Sequence, residues 1–311
     1  MAKPRNKALD LLAYLALRLA AMFFHMFSIR ANYRTADVAA RLLCRLSPRH
    51  VERARAHLRR SFPGWDEPRV DRVARQSLRG LLLFGMELLF MPRLMSRHTW
   101  GRHVRFRNLQ PVLELLVRRP SGVILVTGHF GNFDMVGYTM ATLGFPSVSV
   151  FRPLDNQYVN DYVMAVRERT GQSLLFKRGA VASMDEILES RGTLSFIGDQ
   201  DAGRKGIFVD FFGRPASTYR SIGLMAIQHR VPVIVGYGIR LDERFTFEIG
   251  VERIIHPHEW AGQDDPLAWL TQEYTTALEQ AVRRHPEQYW WVHRRWKHRP
   301  KGEAEPVDGV A

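Results

Sequence analysis

Apolar residues follow two different patterns along this chain, and the change falls near residue 100. Before it, they recur at helical spacing, as in "PRVDRVARQSLRGLLLFGMELLFM". Beyond it, short apolar runs such as "GVILV" and "VPVIVGYGI" alternate with longer amphipathic segments. That alternation is typical of a buried parallel sheet covered by helices. We therefore predict an α/β fold, with a mostly parallel central sheet flanked by helices and a helical N-terminal region. The alternating segment "RFTFEIG" is predicted to be an edge strand.

The N-terminal apolar run covers residues 11–27 and is interrupted by Arg18 and His25. A spanning helix needs roughly 20 apolar residues, and an arginine at its centre costs about 2.5–3.5 kcal/mol. A helix that lies in or dips into a membrane surface therefore fits this run better than a clean span. A buried core helix is the alternative. No convincing small-residue cleavage site follows the run, so a removed signal peptide is not expected.

Three segments are predicted from these patterns. Residues 1–30 form a membrane-associated helix. Residues 31–300 form one folded domain, helical to about residue 100 and α/β after it, because no flexible linker separates the two parts. Residues 301–311 are polar and are predicted to be a disordered tail.

The formal net charge of +14 points to an anionic partner. Such a surface attracts nucleic acid, anionic lipid headgroups or acidic proteins. Near the C-terminus, "EQYWWVHRRWKHRP" combines tryptophan with arginine, as membrane interfaces and some nucleic-acid binders do. No RNA-binding or zinc-finger motif accompanies it, so we expect contact with a membrane surface and none with nucleic acid.

Cysteine and histidine spacing gives no sign of a metal. Cys44 is the single cysteine, which excludes an internal disulfide, and its apolar setting predicts a buried thiol. No cysteine and histidine cluster has zinc spacing. Neither a metal nor a cofactor is expected.

The segment "GVILVTGHFGNFD" carries the strongest chemical signal. It places His129 just beyond a predicted strand, where open α/β sheets bind ligands. Gly131 allows a ligand to approach backbone N–H groups closely, and Asn132 is a predicted N-cap for the next helix. Asp134 would lie in the first turn of that helix, where its carboxylate can fold back and orient the imidazole as a general base. A histidine that only bonds to backbone is the structural alternative.

A covalent acyl-enzyme is not expected. The chain has no GxSxG nucleophile elbow, and its one cysteine lies in the helical region. Direct attack of a hydroxyl on a thioester, with His129 as base, is the simpler chemistry. Backbone N–H groups near Gly131 are then candidate donors to the oxyanion.

A second strand end is expected at the same edge of the sheet. Asp199, Gln200 and Asp201 follow "TLSFIG" directly and should border the cleft that contains His129. One of these carboxylates is a candidate second partner of the imidazole. Asp210, in "FVDFFG", is a further candidate.

Five blocks, taken together, identify a family. The chain resembles the bacterial lipid A biosynthesis lauroyl/myristoyl acyltransferases of the lysophospholipid acyltransferase superfamily, and the related phosphatidylinositol mannoside acyltransferases. The likeness extends from the N-terminal helix through residue 300, and the blocks stand in the family's order. They are "RAHLRRSFP", "SGVILVTGHFGNFD", "FRPLDN", "GDQDAGRKGIFVDFFGRPAST" and "PEQYWWVHRRWKHRP".

The resemblance also assigns roles to residues. His129 matches the catalytic histidine of the family's H-x4-D motif, and Asp134 matches its acid. Arg152, in "RPLDN", is a candidate for binding the thioester oxyanion or a substrate phosphate, and an ion pair with Asp155 is the alternative. The block "FVDFFGRPAST" suits either a wall for an acyl chain or ordinary core.

What the resemblance implies is a membrane-associated O-acyltransferase at the cytoplasmic face of the inner membrane. It would move a fatty acyl group from acyl carrier protein or acyl-CoA to a hydroxyl of a lipid acceptor, with a lipid A precursor as the leading acceptor. Two alternatives stay open. The acceptor could be a glycosylated phospholipid, an aminolipid or a lysophospholipid, or the protein could bind lipid without catalysis.

Overall fold

The structure is a computed structural model that describes residues 6–151, 153–168, 172–176 and 181–302. Its N-terminal region consists of helices, as predicted, and they are α1 (Lys7–His25), α2 (Ile29–Leu46), α3 (Pro48–Ser61) and α4 (Glu67–Leu94). Side chains of Asn6, Ser28 and Asp66 cap the N-termini of α1, α2 and α4. Cys44 is buried, as predicted.

The remaining chain alternates between strands and helices. The strands are β1 (Val104–Arg107), β2 (Val123–Thr127), β3 (Val148–Phe151), β4 (Ser173–Phe176), β5 (Thr193–Ile197), β6 (Ile207–Asp210), β7 (Pro215–Thr218), β8 (Val233–Arg240) and β9 (Phe247–Ile255). The helices are α5 (Gln110–Arg118), α6 (Phe133–Thr142), α7 (Gln157–Glu168), α8 (Val181–Glu189), α9 (Arg220–His229), α10 (Pro257–Trp260) and α11 (Pro266–Arg284).

The described strands form a seven-stranded sheet in the order β1-β9-β8-β2-β5-β3-β4, and β6 and β7 form a separate hairpin. Within the large sheet the β8/β9 pair is antiparallel, and the other neighbours are parallel. The predicted α/β fold with a mostly parallel sheet is therefore confirmed.

The prediction that "RFTFEIG" forms an edge strand was wrong. This segment contributes to β9, which lies between β1 and β8, and its Phe247 is fully buried. The edge position belongs to β1, which pairs with β9 in parallel although more than a hundred residues separate them. Alternation reveals that a strand has two unlike faces, but long-range pairing decides which strand lies at the edge.

The register of the central strands brings two chain segments together. β2 and β5 are parallel neighbours, and Thr127 at the end of β2 is opposite Ile197 at the end of β5. The Gly198 N–H donates to the Thr127 carbonyl oxygen at 2.7 Å, which extends this pairing one step further. The residues that follow both strands consequently emerge side by side at one edge of the sheet.

The aromatic C-terminal residues lie in the core. Trp291 is 0% exposed, and it packs in one cluster with Trp296, Phe211 and Phe212. Arg295 is also buried, and it donates to Thr218 Oγ1 at 2.6 Å. The expectation that these tryptophans lie at a membrane interface was therefore wrong, and of the two interpretations of "FVDFFGRPAST" the structure favours ordinary core.

Helix α1 is exposed on most of its surface. Within Lys7–His25, Ala21 alone is buried, whereas Leu19 is 63% exposed and Leu9 is 62% exposed. The alternative that this apolar run is a buried core helix is thereby excluded. Among the described helices, α1 is the one that has the length and apolar composition to cross a membrane.

Candidate active site

His129 lies directly beyond β2, and its strongest contacts go to the end of β5. Its ring Nδ1–H donates to Asp199 Oδ1 at 2.8 Å. Its backbone N–H donates to the other carboxylate oxygen, Asp199 Oδ2, also at 2.8 Å. One buried carboxylate therefore fixes both the backbone and the ring of His129. Since a carboxylate only accepts, Nδ1 carries the proton and Nε2 has a free lone pair.

Asp199 is kept ionised by this pairing. Its side chain is 3% exposed, and burial by itself raises the pKa of a carboxyl group. The positive charge that His129 carries when protonated, and the two hydrogen bonds that His129 donates, outweigh that effect, so the pKa of Asp199 is held well below its usual range. An ionised partner stabilises the imidazolium that forms when His129 takes up a proton.

Asp134 has a different partner. Arg167, on α7, donates to Asp134 Oδ2 from Nη2 at 2.6 Å and from Nε at 3.1 Å. The expectation that Asp134 folds back to orient the imidazole was wrong, because Asp199 bonds to that ring nitrogen. Asp134 is the second residue of α6, and its carboxylate meets α7 rather than the loop that precedes its own helix.

A cleft of about 580 Å³ opens beside the imidazole. Its lining includes His129, Gln200 and Arg167, with apolar side chains over the rest of the wall. The Gln200 amide Nε2 lies 3.4 Å from His129 Nε2, at the nitrogen that is free to accept a proton. The predicted proximity of Gln200 to the cleft is confirmed, and the cleft combines a base, a fixed cation and an apolar wall.

Gly131 forms the tight turn between His129 and α6. Its φ of +60° is in the left-handed region, and a Cβ here would lie 2.0 Å from the Gly238 carbonyl oxygen. Its N–H donates to the Gln288 carbonyl oxygen, and the Asn132 N–H donates to that of Gly238. Both N–H groups are thus occupied, so neither of these two is available to an oxyanion, and the prediction is left with the N–H groups at the start of α6. Gly131 instead allows the turn to pack against β8.

Asn132 is the predicted N-cap of α6, and the structure confirms it. Its Oδ1 accepts from the Met135 N–H at 3.1 Å. Its Nδ2 donates to Glu87 Oε2 at 2.9 Å, on the fully buried side of α4. Asn132 is itself 0% exposed, so it holds the turn in place and does not face the cleft.

Glu87 is the centre of a buried network behind this turn. Besides Asn132, it accepts from the Tyr33 hydroxyl at 3.0 Å and forms an ion pair with Arg240. Arg240 Nη2 lies 3.3 Å from the Gly131 carbonyl oxygen, to which it donates. The ion pair joins α4 to the end of β8, and each partner also bonds to the turn that follows His129.

The C-terminal segment, residues 286–298, closes the site from the other side. The Trp290 N–H donates to the His129 carbonyl oxygen at 3.0 Å. The His293 ring lies 4.3 Å from the His129 ring and is parallel to that of Trp290. Burial, and then the charge of His129, lowers the pKa of His293 to about 4. His293 is therefore neutral at pH 7 and adds no charge beside the base.

Two further predicted candidates lie away from the imidazole. Asp201 Oδ2 is 2.6 Å from His298 Nδ1, so it anchors the C-terminal segment. Asp210 is exposed at the end of β6, where its Oδ1 accepts from the Gly213 N–H. Of the three later acids, Asp199 is the one that meets His129. Arg152, in contrast, lies outside the described residues.

Four residues that complete the site had little signal in the sequence. Arg167 is one of many arginines at helix ends, and Glu87 lies in an apolar run without a recognisable motif. A charged residue inside "GMELLFM" was the one available signal, because a buried carboxylate needs a partner. Arg240 and His293 had no comparable signal, since their role depends on contacts between distant segments.

Nearly the whole chain matches a known protein family. The family model described as bacterial lipid A biosynthesis acyltransferase matches residues 3–298. The chain is 25% identical over 255 residues to a lipid A biosynthesis acyltransferase of Haemophilus influenzae, covering 81% of this chain and 77% of the relative. It is 23% identical over 275 residues to the lipid A biosynthesis lauroyltransferase of Escherichia coli K12, covering 87% and 86%.

A third relative is the lipid A biosynthesis palmitoleoyltransferase of Escherichia coli K12, which is 29% identical over 190 residues, 59% of this chain and 58% of the relative. The family match extends over nearly the whole chain and confirms the resemblance inferred from the five blocks. The protein is an acyltransferase that belongs to the bacterial lipid A biosynthesis acyltransferase family.

Proposed function

We propose that this enzyme transfers a fatty acyl group from an acyl thioester to a hydroxyl of a lipid A precursor, with His129 as the general base. The observation that carries the proposal is the 2.8 Å bond from His129 Nδ1 to Asp199, which leaves Nε2 free beside the cleft. The donor is acyl carrier protein or acyl-CoA. Both are acidic, and both present the acyl group as a thioester.

The chemistry follows from the state of the two ring nitrogens. The acceptor hydroxyl displaces the Gln200 amide from Nε2, and Nε2 removes its proton as the oxygen attacks the thioester carbonyl carbon. Asp199 stabilises the imidazolium that results. When the tetrahedral intermediate collapses, the carbon–sulfur bond breaks and His129 returns the proton to the thiolate. An ester and a free thiol leave, and the enzyme is unchanged.

Arg167 is the candidate for stabilising negative charge in this cycle. Its guanidinium lines the same cleft as His129, and Asp134 fixes its position through two bonds. With the N–H groups of Gly131 and Asn132 occupied, we assign the oxyanion, or a substrate phosphate, to Arg167 and the N-terminal end of α6. Asp134 is thus a positioning residue for Arg167. Arg152 keeps the role proposed from the resemblance.

The charge and exposure of the surface support the location and the donor. Met22, on the apolar face of α1, and Met26, directly after the helix, are 55% and 78% exposed and suit a bilayer surface. We place the enzyme at the cytoplasmic face of the inner membrane, with residues 1–30 as its anchor and residues 31–300 as the acyltransferase domain. Arg294 and Lys297 are exposed close to His293, where they would attract an acidic donor.

In the test, purified enzyme is incubated with an acyl donor, either acyl carrier protein or acyl-CoA, that carries a labelled chain. The acceptors are lipid A precursor, phosphatidylinositol mannoside, lysophospholipid and an aminolipid. We expect transfer to lipid A precursor, and His129→Ala should lower turnover at least 10²-fold. His229→Ala is the matched control, because His229 forms a similar pair with Asp185, 2.7 Å apart, among residues that do not line the cleft.

Circular dichroism and melting curves establish that both variants are folded. Undiminished turnover in His129→Ala would refute the general-base mechanism. Transfer to another acceptor in place of lipid A precursor would refute the proposed acceptor and leave the chemistry standing. Loss of turnover in His229→Ala to the same extent would mean that the His129 effect is structural.

A further inference from the structure

A second apolar space lies where α1, α2, α4 and α7 meet. It is a groove with a cavity volume of about 350 Å³. Its lining is apolar except for Thr35 and Tyr162, and no charged side chain contributes to it. A groove of this composition does not suit a headgroup, a nucleotide or a peptide backbone, because each would bury polar groups without partners. It suits a hydrocarbon chain.

The floor of the groove is one face of α4. Leu81, Gly85 and Leu89 follow one another at a spacing of four residues and line the groove together. Glycine is unfavourable in a helix interior, yet nothing lies within 4 Å of the position that a Cβ on Gly85 would occupy. Packing of the helix therefore does not require the glycine. Its effect is to leave the groove open, and the small side chain of Ala39 on α2 lines the same groove.

Helix α7 separates the groove from the catalytic cleft. Val163 lines both, whereas Tyr162 and Val166 line the groove, and Met164 and Arg167 line the cleft. The two spaces consequently border adjacent faces of a single helix, and Val163 lies between them. A molecule with a reacting group in the cleft and a chain in the groove would straddle α7.

The groove also continues the exposed apolar surface of α1. Leu17 and Phe24 form its wall on that side, and Leu19 and Phe23, their neighbours in sequence, are exposed. Arg18 lies at the rim, with its guanidinium 5.1 Å from the centre of the Tyr162 ring. A chain can thus pass from the surface of α1 into the groove, while an anionic headgroup stays beside Arg18.

We propose that this groove holds a fatty acyl chain that the lipid acceptor already carries, while the acceptor's hydroxyl lies beside His129. The inference rests on the proposed function, because it assumes a lipid acceptor. It assigns the donor chain to the catalytic cleft, whose wall near His129 includes Phe151, Phe196 and Ile222. The donor chain is attached directly to the carbonyl that reacts at His129, so it begins beside the imidazole and occupies the cleft. The groove then remains for a chain of the acceptor.

In the full-length enzyme, Gly85→Phe fills the groove from α4 and Ala39→Phe fills it from α2. The Michaelis constants for lipid A precursor and for the acyl donor are measured separately, along with the melting temperature. We expect each variant to raise the acceptor KM at least tenfold and to leave the donor KM within twofold. Gly85→Phe should melt no lower than the wild type, because phenylalanine is the better helix former. Val117→Phe is the control, since it adds an aromatic ring at an exposed position on α5.

Unchanged acceptor KM in both variants would overturn the proposal. A rise in the donor KM in place of the acceptor KM would overturn the assignment to the acceptor. A second readout does not need turnover: a lipid A precursor with a photoreactive diazirine in its chain should label residues 81–89, and Gly85→Phe should abolish that labelling. Labelling confined to the cleft would overturn the inference even in an active enzyme. If the wild type acylated no acceptor, labelling of the groove would still support the chain site while the proposed function failed.

Discussion

Two buried carboxylates follow two neighbouring strands, and each has a different partner. Asp199, after β5, bonds to the ring and the backbone of His129. Asp134, after β2, is only five positions from His129 in sequence but bonds to Arg167 on α7. The acid that is close in sequence positions a cation, and the acid 70 residues away positions the base.

The difference shows how a parallel sheet builds a site. When a helix follows a strand, a residue in the first turn of that helix lies away from the end of the strand. A residue at the end of the adjacent strand stays at the sheet edge, within reach of its neighbour's loop. A short motif can therefore contain two site residues whose direct partners both lie outside it.

The sharpest test of this comparison is Asp199→Asn. The amide cannot stabilise the imidazolium, and it can present a donor where Nδ1–H needs an acceptor. We expect turnover to fall roughly 10³-fold, with a changed pH profile of kcat/KM. Asp185→Asn, in the His229 pair, is the matched control. Wild-type turnover in Asp199→Asn would show that the 2.8 Å contact has no catalytic role.

Asp134→Asn should have a smaller effect of a different kind. Arg167 keeps its charge but loses the carboxylate that fixes it, so we expect kcat/KM to fall roughly tenfold. The pH profile should keep its wild-type shape, because the partner of His129 is intact. A shifted profile would mean that Asp134, rather than Asp199, sets the state of the base.

Glu87→Gln tests the buried network behind the turn that follows His129. Removing one member of a buried ion pair costs about 3–5 kcal/mol, here because Arg240 would lose its counter-charge. We expect urea unfolding to show a loss of that size in the free energy of unfolding, together with a fall of a few-fold in kcat. Leu78→Ala, in the buried part of the same helix, costs about 2–5 kcal/mol and controls for stability. Equal kcat losses in the two variants would show that Glu87 does not position the turn.

The last prediction concerns stability at acid pH and does not involve turnover. Burial lowers the pKa of His57 to about 3, and burial with the charge of His129 lowers that of His293 to about 4. Both titrate near 6.5 when unfolded, so the unfolded chain binds more protons below that pH. Stability is therefore complete above pH 6.5 and falls as the pH drops towards 4. From pH 7 to pH 5 we expect a loss of about 2 kcal/mol per histidine.

Urea unfolding at the two pH values measures this loss. His57→Gln removes one of these two groups and keeps a donor for the Trp291 carbonyl oxygen, so the loss of stability between pH 7 and pH 5 should shrink by about 2 kcal/mol. A loss that did not change in His57→Gln would assign the effect to other groups.

Local patterns were sufficient for features that depend on neighbours in the chain. The strand before His129 and the N-cap at Asn132 were predicted because periodicity and cap chemistry act over a few residues. Position at a strand end also predicted that Gln200 borders the cleft and that a carboxylate among residues 199–201 contacts the imidazole.

Other features depend on contacts that no local pattern records. The choice between Asp134 and Asp199 is set by strand register, and the edge position of β1 is set by its pairing with β9. The aromatic C-terminal residues have the composition of an interface, but Trp291 is buried because its segment returns to the catalytic turn. Likewise, the Gly131 N–H is not an oxyanion donor, because it donates to the carbonyl oxygen of Gln288, which is distant in sequence.

The return of the C-terminal segment has a consequence for biosynthesis. Trp290 and Gln288, which bond to the backbone of His129 and Gly131, are made after most of the chain, whereas α1 is made first. Domains form progressively as the ribosome proceeds. If α1 binds a membrane as proposed, the nascent chain can reach the bilayer well before its active site is complete. A product that ended before residue 286 would contain α1 but lack the residues that close the site, so it would be inactive.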